Sequence, residues 1–404
     1  MTDPGPAPTP PLGEIFTPHR PIDVPDYLYG RRALLYRVTD AVNTAGLHVI
    51  LFGDRGTGKT SIARVLARSI QEPRDRHGRR VLYVSCNSSD DFTSIWRRVF
   101  QEVLIAPRQL GFMPNPDDIA MERLDLTKVV DPNDVRLLIA GFPNPLVIVI
   151  DEFDRVPPGN NARRLMADTI KLFADLDVAA TIVIVGVADS ISELIVEHQS
   201  ISRNTAQVPV DPMNVDELRD IISKGFSRAG MRLERGLDVK IAELSQGYPS
   251  YTHLLGLWAG RRALEHERKE VTLADLDAAI PDALTNVTGG VAQEYEQAIQ
   301  SNHAGSLFAD VLLACALAPR DALGRFSAKD LRDPLKKITH VTYATGAYQS
   351  HLAKFCESQR GPTLRKSGSR RSYKWRFVNP QVIPYILLRA KQESRLPADW
   401  ATSG

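Results

Sequence analysis

A chain of 404 residues, 43% hydrophobic and 24% charged, has the make-up of a globular protein with room for two or three domains. Its net charge of +2 is unevenly spread: residues 300–404 hold 17 Lys and Arg against 7 Asp and Glu, leaving 33 against 41 elsewhere. A basic tail on an acidic body points to a polyanionic partner. No apolar run approaches a membrane span, and the N-terminus lacks the basic-then-apolar order of a signal peptide, so no membrane partner is expected. Cys86, Cys315 and Cys356 lie far apart in no metal-ligand spacing, which fits a reduced, cytoplasmic protein.

Residues 1–25 carry Pro4, Pro6, Pro8, Pro10 and Pro11 and read as a disordered tail, extended near residues 16–25. Residues 30–45 form an amphipathic helix with Leu34, Leu35, Val38 and Val42 on one face. The stretch 48–63 then organises the chain. An apolar strand ending at Phe52 meets Gly53, Asp54, Arg55, Gly56, Thr57 and Gly58, after which Lys59, Thr60 and Ser61 open a helix. This is G-x-x-x-x-G-K-T between strand and helix, the requirement for a phosphate-binding P-loop. Glycines let backbone N–H groups converge on a polyphosphate, and the positive end of the helix dipole faces the same anion. Lys59 would reach the β- and γ-phosphates and Thr60 would ligate Mg²⁺.

Further strands are expected at 81–85, 146–150, 182–187 and, more weakly, 206–210. They alternate with helices at 92–104 and 162–176, while 105–130 looks like an irregular insertion. Such alternation predicts an α/β fold, a parallel sheet with helices on both sides. Near Asp211 the pattern changes. Asn214 and Glu217 form a capping box, and helices follow at 215–228, 237–245, 249–267 and 273–284, then a polar joint at 285–290. From 291 three helices, two basic β-like stretches around Gly368 and a last helix at 380–391 have the layout of a winged helix-turn-helix. The expected domains are a tail (1–25), a nucleotide-binding domain (26–211), a helical lid (212–288), a winged helix (289–395) and a short tail (396–404).

Asp151 and Glu152 end the apolar run 146–150. The first acid can hold Mg²⁺ through water and the second can polarise an attacking water. Asn87, just past the second strand, either hydrogen-bonds Glu152 or is a turn asparagine.

With these residues in view, the chain resembles an AAA+ ATPase, closest to the replication-initiator (origin-recognition-like) clade, with traits of signal-transduction (STAND-type) ATPases. The resemblance rests on GDRGTGKT (53–60), LVIVIDEFDR (146–155), IVGVADS (184–190), SISR (200–203), GYPSYTHLL (247–255) and the C-terminal winged helix. It implies a parallel sheet of order 5-1-4-3-2, a helical lid, ATP or ADP at their junction, and work as a homo-oligomer or hetero-assembly whose neighbours complete each other's sites. By the same resemblance Arg203 sits where an arginine finger would lie; a surface arginine is the other reading. Asp189 replaces the usual sensor asparagine, with Ser190 as a substitute donor. Ser250 stands where the lid arginine is expected. Gly247-Tyr248-Pro249 resembles the G-x-P element, whose proline packs near the nucleotide base. His253 would touch a phosphate or sit in the lid core. Residues 27–30, with Tyr29, stand where the initiator clade packs its adenine; core packing is an equal reading.

Arg365, Lys366, Arg370, Arg371, Lys374 and Arg376 crowd the expected hairpin, interleaved with Tyr373 and Trp375. That density suits phosphate contacts beside a groove in duplex DNA. The helix at 344–357 would be the recognition helix, offering Thr345, Gln349, Ser350 and Lys354. The expected function is an ATPase that hydrolyses slowly, because the lid arginine is missing, and controls assembly on DNA. Two rivals are a nucleotide-switched signalling or defence ATPase and a partner-loading ATPase, in which the winged helix docks a protein partner.

Overall fold

The computed structural model describes residues 10–71, 78–105, 130–142, 144–188, 190–195, 201–287, 289–301, 305–369 and 372–400. The chain forms two compact units, one of residues 20–211 and one of residues 1–19 with 212–404. A one-turn helix, α1 (Leu12–Ile15), belongs to the second.

The first unit runs α2 (Arg32–Asn43), β1 (His48–Gly53), α3 (Lys59–Gln71), β2 (Arg80–Ser85), α4 (Phe92–Ile105), α5 (Pro132–Ala140), β3 (Leu146–Asp151), α6 (Ala162–Asp175), β4 (Ala180–Val187), α7 (Ile201–Asn204) and β5 (Thr205–Pro209). Its five strands are all parallel, in the order β2-β3-β4-β1-β5, as the resemblance implies. Period-two alternation sorts the central strands into two cores. Ile148, Ile150, Ile182 and Ile184 face one way, onto Trp96, Phe100 and Phe173. Val147, Val149, Val183 and Val185 face the other, onto α2 and α3 through Val38, Ile62 and Leu66. The expected insertion at 105–130 falls almost wholly outside the described residues. Helix α5 is opened by Asp131, which accepts from the N–H groups of Asn133 (2.8 Å) and Asp134 (2.9 Å) in a capping box.

The second unit continues with α8 (Val215–Arg228), β6 (Arg232–Leu233), α9 (Leu237–Ser245), α10 (Pro249–Glu265), β7 (Glu270–Val271), α11 (Leu273–Thr285), α12 (Gly289–Ile299), α13 (Phe308–Leu317), α14 (Arg332–Thr339), α15 (Thr345–Lys354), β8 (Leu364–Ser367), β9 (Lys374–Phe377) and α16 (Val382–Gln392). Asn214 accepts from Glu217 N at 2.9 Å and Glu217 accepts from Asn214 N at 2.8 Å, the predicted capping box. Strands β8 and β9 pair antiparallel, and Phe326 bridges to Trp375.

The proline-rich start differs from expectation. Residues 10–25 are described, and α1 with Phe16 packs into the second unit instead of trailing as a disordered tail. The physical reason is a slot lined by three helical glycines. A Cβ on Gly225 or Gly256 would stand 2.6 or 2.9 Å from the Phe16 ring, and one on Gly260 would stand 2.8 Å from Leu12. Phe16 is 1% exposed and its ring centroid lies 4.8 Å from that of Phe226. Burial of Leu12, Ile15 and Phe16 outweighs the ordering cost that proline content alone suggests would keep the segment free.

Candidate functional site

Strand β1 delivers the chain into the P-loop at Gly53, whose φ is 143°. A Cβ there would lie 2.5 Å from the Val210 carbonyl oxygen, so no other residue fits. Gly56 and Gly58 also have positive φ, at 83° and 93°. Lys59 then opens α3 and is only 7% exposed. Its Nζ donates to the carbonyls of Gly53 (3.0 Å) and Asp54 (2.7 Å). Burial pushes the ammonium down to about 8, opposed by Asp154, Asp54 and Asp151. Thr57 Oγ1 donates to Asp54 O at 3.0 Å, and Ser61 Oγ accepts from Ile22 N at 3.1 Å, while Arg55 is exposed. Buried Arg31 donates to the carbonyls of Thr57 and Asp211, bracing the loop.

Asp151 follows Val147 and Val149 at alternate positions of β3, so its side chain falls on the α3 face. That alternation brings it to Thr60, whose Oγ1 donates to Asp151 Oδ1 at 3.4 Å. Tyr83 OH donates to Asp151 Oδ2 at 2.5 Å, a contact set by the register of β2 on β3. Burial, and then the Asp151 charge, raise the Tyr83 phenol well above its ordinary value. Glu152 leaves the strand in a left-handed conformation, φ 54°, with its carboxylate exposed and accepting from Arg155 Nη1 at 2.8 Å. Asp154 Oδ1 accepts from Val187 N at 2.8 Å, tying the turn after β3 to the end of β4.

The expected Asn87–Glu152 hydrogen bond is not formed among the described residues. Asn87 Oδ1 accepts from the N–H (2.9 Å) and hydroxyl (2.6 Å) of Ser89, closing its own turn. Asp189 lies outside the described residues. Arg203 is exposed on α7, and Tyr29 is buried.

A P-loop lysine, a helix N-terminus and a carboxylate gather at one end of the parallel strands, and comparison with known proteins names the family. The model of the novel STAND NTPase 1 family matches residues 22–321. The chain belongs to this family.

The STAND NTPase also has the AAA+ fold of two solved structures. A Walker-type ATPase of Pyrococcus abyssi is 16% identical, with a TM-score of 0.55, covering 92% of this chain and 99% of that one. The Aeropyrum pernix ORC2 protein, solved in ADPNP–ADP complexes, is 14% identical, with a TM-score of 0.51, covering 94% and 98%. No curated protein matches the chain. Among the described residues of the STAND NTPase no helix is long and apolar enough to cross a membrane.

In its second unit Pro249 starts α10 after Gly247, whose φ of 89° and whose approach to Pro212 (2.6 Å from a built Cβ) require glycine. Gly247 O accepts from Met213 N at 2.9 Å. Arg320, just past α13, donates to Gln246 Oε1 at 3.4 Å, directly before this element. Ser250 lies in the first turn of α10. His253 is buried and its Nδ1 accepts from Thr17 N at 3.2 Å, which makes it a core histidine of this unit. At the hairpin Trp375 and Phe377 are buried while Arg365 and Lys366 are exposed. Lys366 Nζ sits 3.4 Å from the Tyr373 ring centroid. Lys374 is held by Asp321 at 2.8 Å. Arg370 and Arg371 lie outside the described residues. Gln349, Ser350 and Lys354 are exposed along α15, and Thr345 is half-buried.

Proposed function

We propose that this STAND NTPase binds ATP and ADP at the P-loop with Mg²⁺, hydrolyses ATP slowly, and uses the nucleotide state to control assembly on duplex DNA through its basic winged helix. The supporting observation is the meeting of Lys59, Thr60 and Asp151 at one end of a parallel sheet. Residues 53–61 would cradle the phosphates, with Lys59 exchanging its two carbonyl partners for phosphate oxygens. Thr60 and Asp151 are hard oxygen donors that suit Mg²⁺, a cation usually held by one or two protein groups plus phosphates. Bound Mg²⁺ would neutralise charge on the phosphates. Glu152 would orient and deprotonate water, and Arg203 of a neighbouring copy would offset phosphoryl charge. Tyr29 and Pro249 are assigned to the base, and Arg365, Lys366, Arg370, Arg371 and Lys374 to DNA phosphates. Ser250 in place of a lid arginine favours slow turnover.

The test combines nucleotide affinity, turnover, mass and gel-shift measurements with ADP and an ATP analogue, with and without duplex DNA. Lys59→Ala should lose nucleotide binding. Glu152→Gln should keep it and lose turnover by about 100-fold or more, the scale of a general base. Parental turnover in both variants would refute the site. A second reading, a signalling switch whose winged helix docks protein, is favoured by the Gly247–Pro249 element and by the Lys374–Asp321 pair, which removes one charge from the hairpin. Failure to bind DNA at low salt would put that reading first.

A further inference from the structure

We propose that Tyr83 is a positioning residue that orients Asp151 toward the divalent cation, and so sets how strongly nucleotide binding depends on Mg²⁺. The proposal rests on the reading of the P-loop as a nucleotide site.

The geometry starts from strand register. Tyr83 on β2 pairs with Val149 on β3, and Ser85 pairs with Asp151. Side chains two residues apart share a face, so Tyr83 and Asp151 lie on the α3 side, one pair apart along the strands. A long side chain leaning along its strand covers that step. The phenol does so and donates to Asp151 Oδ2 at 2.5 Å.

Asp151 is 2% exposed, so its carboxylate depends on protein donors. Oδ1 takes the backbone N–H of Glu152 at 2.8 Å and the Thr60 hydroxyl at 3.4 Å. The second of these is long, so Oδ1 alone is held mainly by the adjoining backbone. Oδ2 has the Tyr83 hydroxyl. With both oxygens engaged the plane of the carboxylate is set; with Oδ2 released it can turn about its terminal torsion, which is broad for aspartate. A carboxylate that reaches a cation through water works by direction, because the water must meet both groups at hydrogen-bonding and ligand geometry.

Tyr83 is itself anchored. The Arg64 guanidinium carbon lies 5.9 Å from its ring centroid. Arg64 stands four residues after Thr60 on α3, on the same helix face. The tyrosine therefore spans the space between the helix that carries Thr60 and the strand that carries Asp151. It fixes the carboxylate on the strand relative to the helix that carries the Thr60 hydroxyl.

The experiment titrates a fluorescent ATP analogue onto the full chain at fixed free Mg²⁺ concentrations and in EDTA. The parent should bind more tightly as Mg²⁺ rises. Tyr83→Phe should bind like the parent in EDTA, yet need about tenfold more Mg²⁺ for half of the gain, the scale seen when an outer partner of a metal ligand is removed. Its thermal midpoint should fall by no more than a few degrees, since the ring is kept and one donor to a buried carboxylate is lost. Asp151→Asn should show at least the same shift, and adding Tyr83→Phe to it should change nothing further, because both act through one carboxylate. A parental Mg²⁺ midpoint in Tyr83→Phe, or a shift that persists in the Asp151→Asn background, would overturn the positioning role while leaving the nucleotide site intact. A parent that binds no nucleotide with or without Mg²⁺ would overturn the site reading and the proposal with it.

Discussion

Arg155 Nη1 donates to Glu152 Oε2 at 2.8 Å, one helical turn beyond the strand that carries the acid pair. The two side chains are each about half exposed, so the pair is solvent-screened. It nonetheless occupies the carboxylate assigned to water activation. Arg155→Ala should raise the turnover rate about two- to threefold, the scale of an exposed ion pair, with stability unchanged. A steady-state assay beside a melting curve checks both, and a large fall in turnover would instead make Arg155 part of the machinery.

The hairpin makes a salt-dependence prediction. Asp321 is held well below the usual carboxylate range, first by its hydrogen bond with Lys374. Asp321→Asn should release Lys374 and tighten duplex DNA binding at low salt. Each phosphate contact contributes about −0.9 to the slope of log K against log salt. Lys366→Ala should therefore flatten the slope by about one unit, and the pair Arg370→Ala with Arg371→Ala by about two. Gln349→Ala should alter preference among sequences rather than the slope. Binding measured from 50 to 200 mM salt separates these outcomes.

Phe16 tests the packing of the N-terminal segment. Its ring fills the slot against Gly225 and Gly256, and nothing else in the segment has its volume. Phe16→Ala should cost about 3–5 kcal/mol, as for a buried phenylalanine, and lower the thermal midpoint by several degrees. Gly256→Ala should also destabilise, because the new methyl would meet the ring at 2.9 Å. If both variants melt like the parent, the segment contributes no packing in solution.

Two buried histidines predict acid sensitivity. His48 Nδ1 accepts from Ile182 N at 2.9 Å and His253 Nδ1 accepts from Thr17 N at 3.2 Å, so each ring must leave that nitrogen unprotonated. Burial lowers both to about 4 from an ordinary value of 6.5. The unfolded chain then takes up protons first as pH falls. Their contribution is complete above the ordinary value and is lost on the way down to the folded value. The slope is about 1.4 kcal/mol per pH unit for each histidine. Melting curves at pH 7 and pH 5 should carry this loss, and His253→Gln should remove the share of one histidine from it.

Much of the nucleotide-binding unit is legible in the sequence because local rules govern it. A strand buried on both faces is a continuous apolar run, as at 146–150, and a P-loop carries its glycines, lysine and hydroxyl within nine residues. The capping box at Asn214 and Glu217 is equally local. What only the tertiary structure decided depends on partners far apart in the chain. Register sets Tyr83 against Asp151, and Arg31 meets carbonyls of the loop and of the chain just past the last strand, at Thr57 and Asp211. Phe16 reads as part of a free proline-rich tail because the glycines that receive it lie more than two hundred residues away, and no local pattern announces a slot formed by missing side chains. Local periodicity specifies which face a residue takes; burial and hydrogen bonding across long sequence separations decide what it meets there.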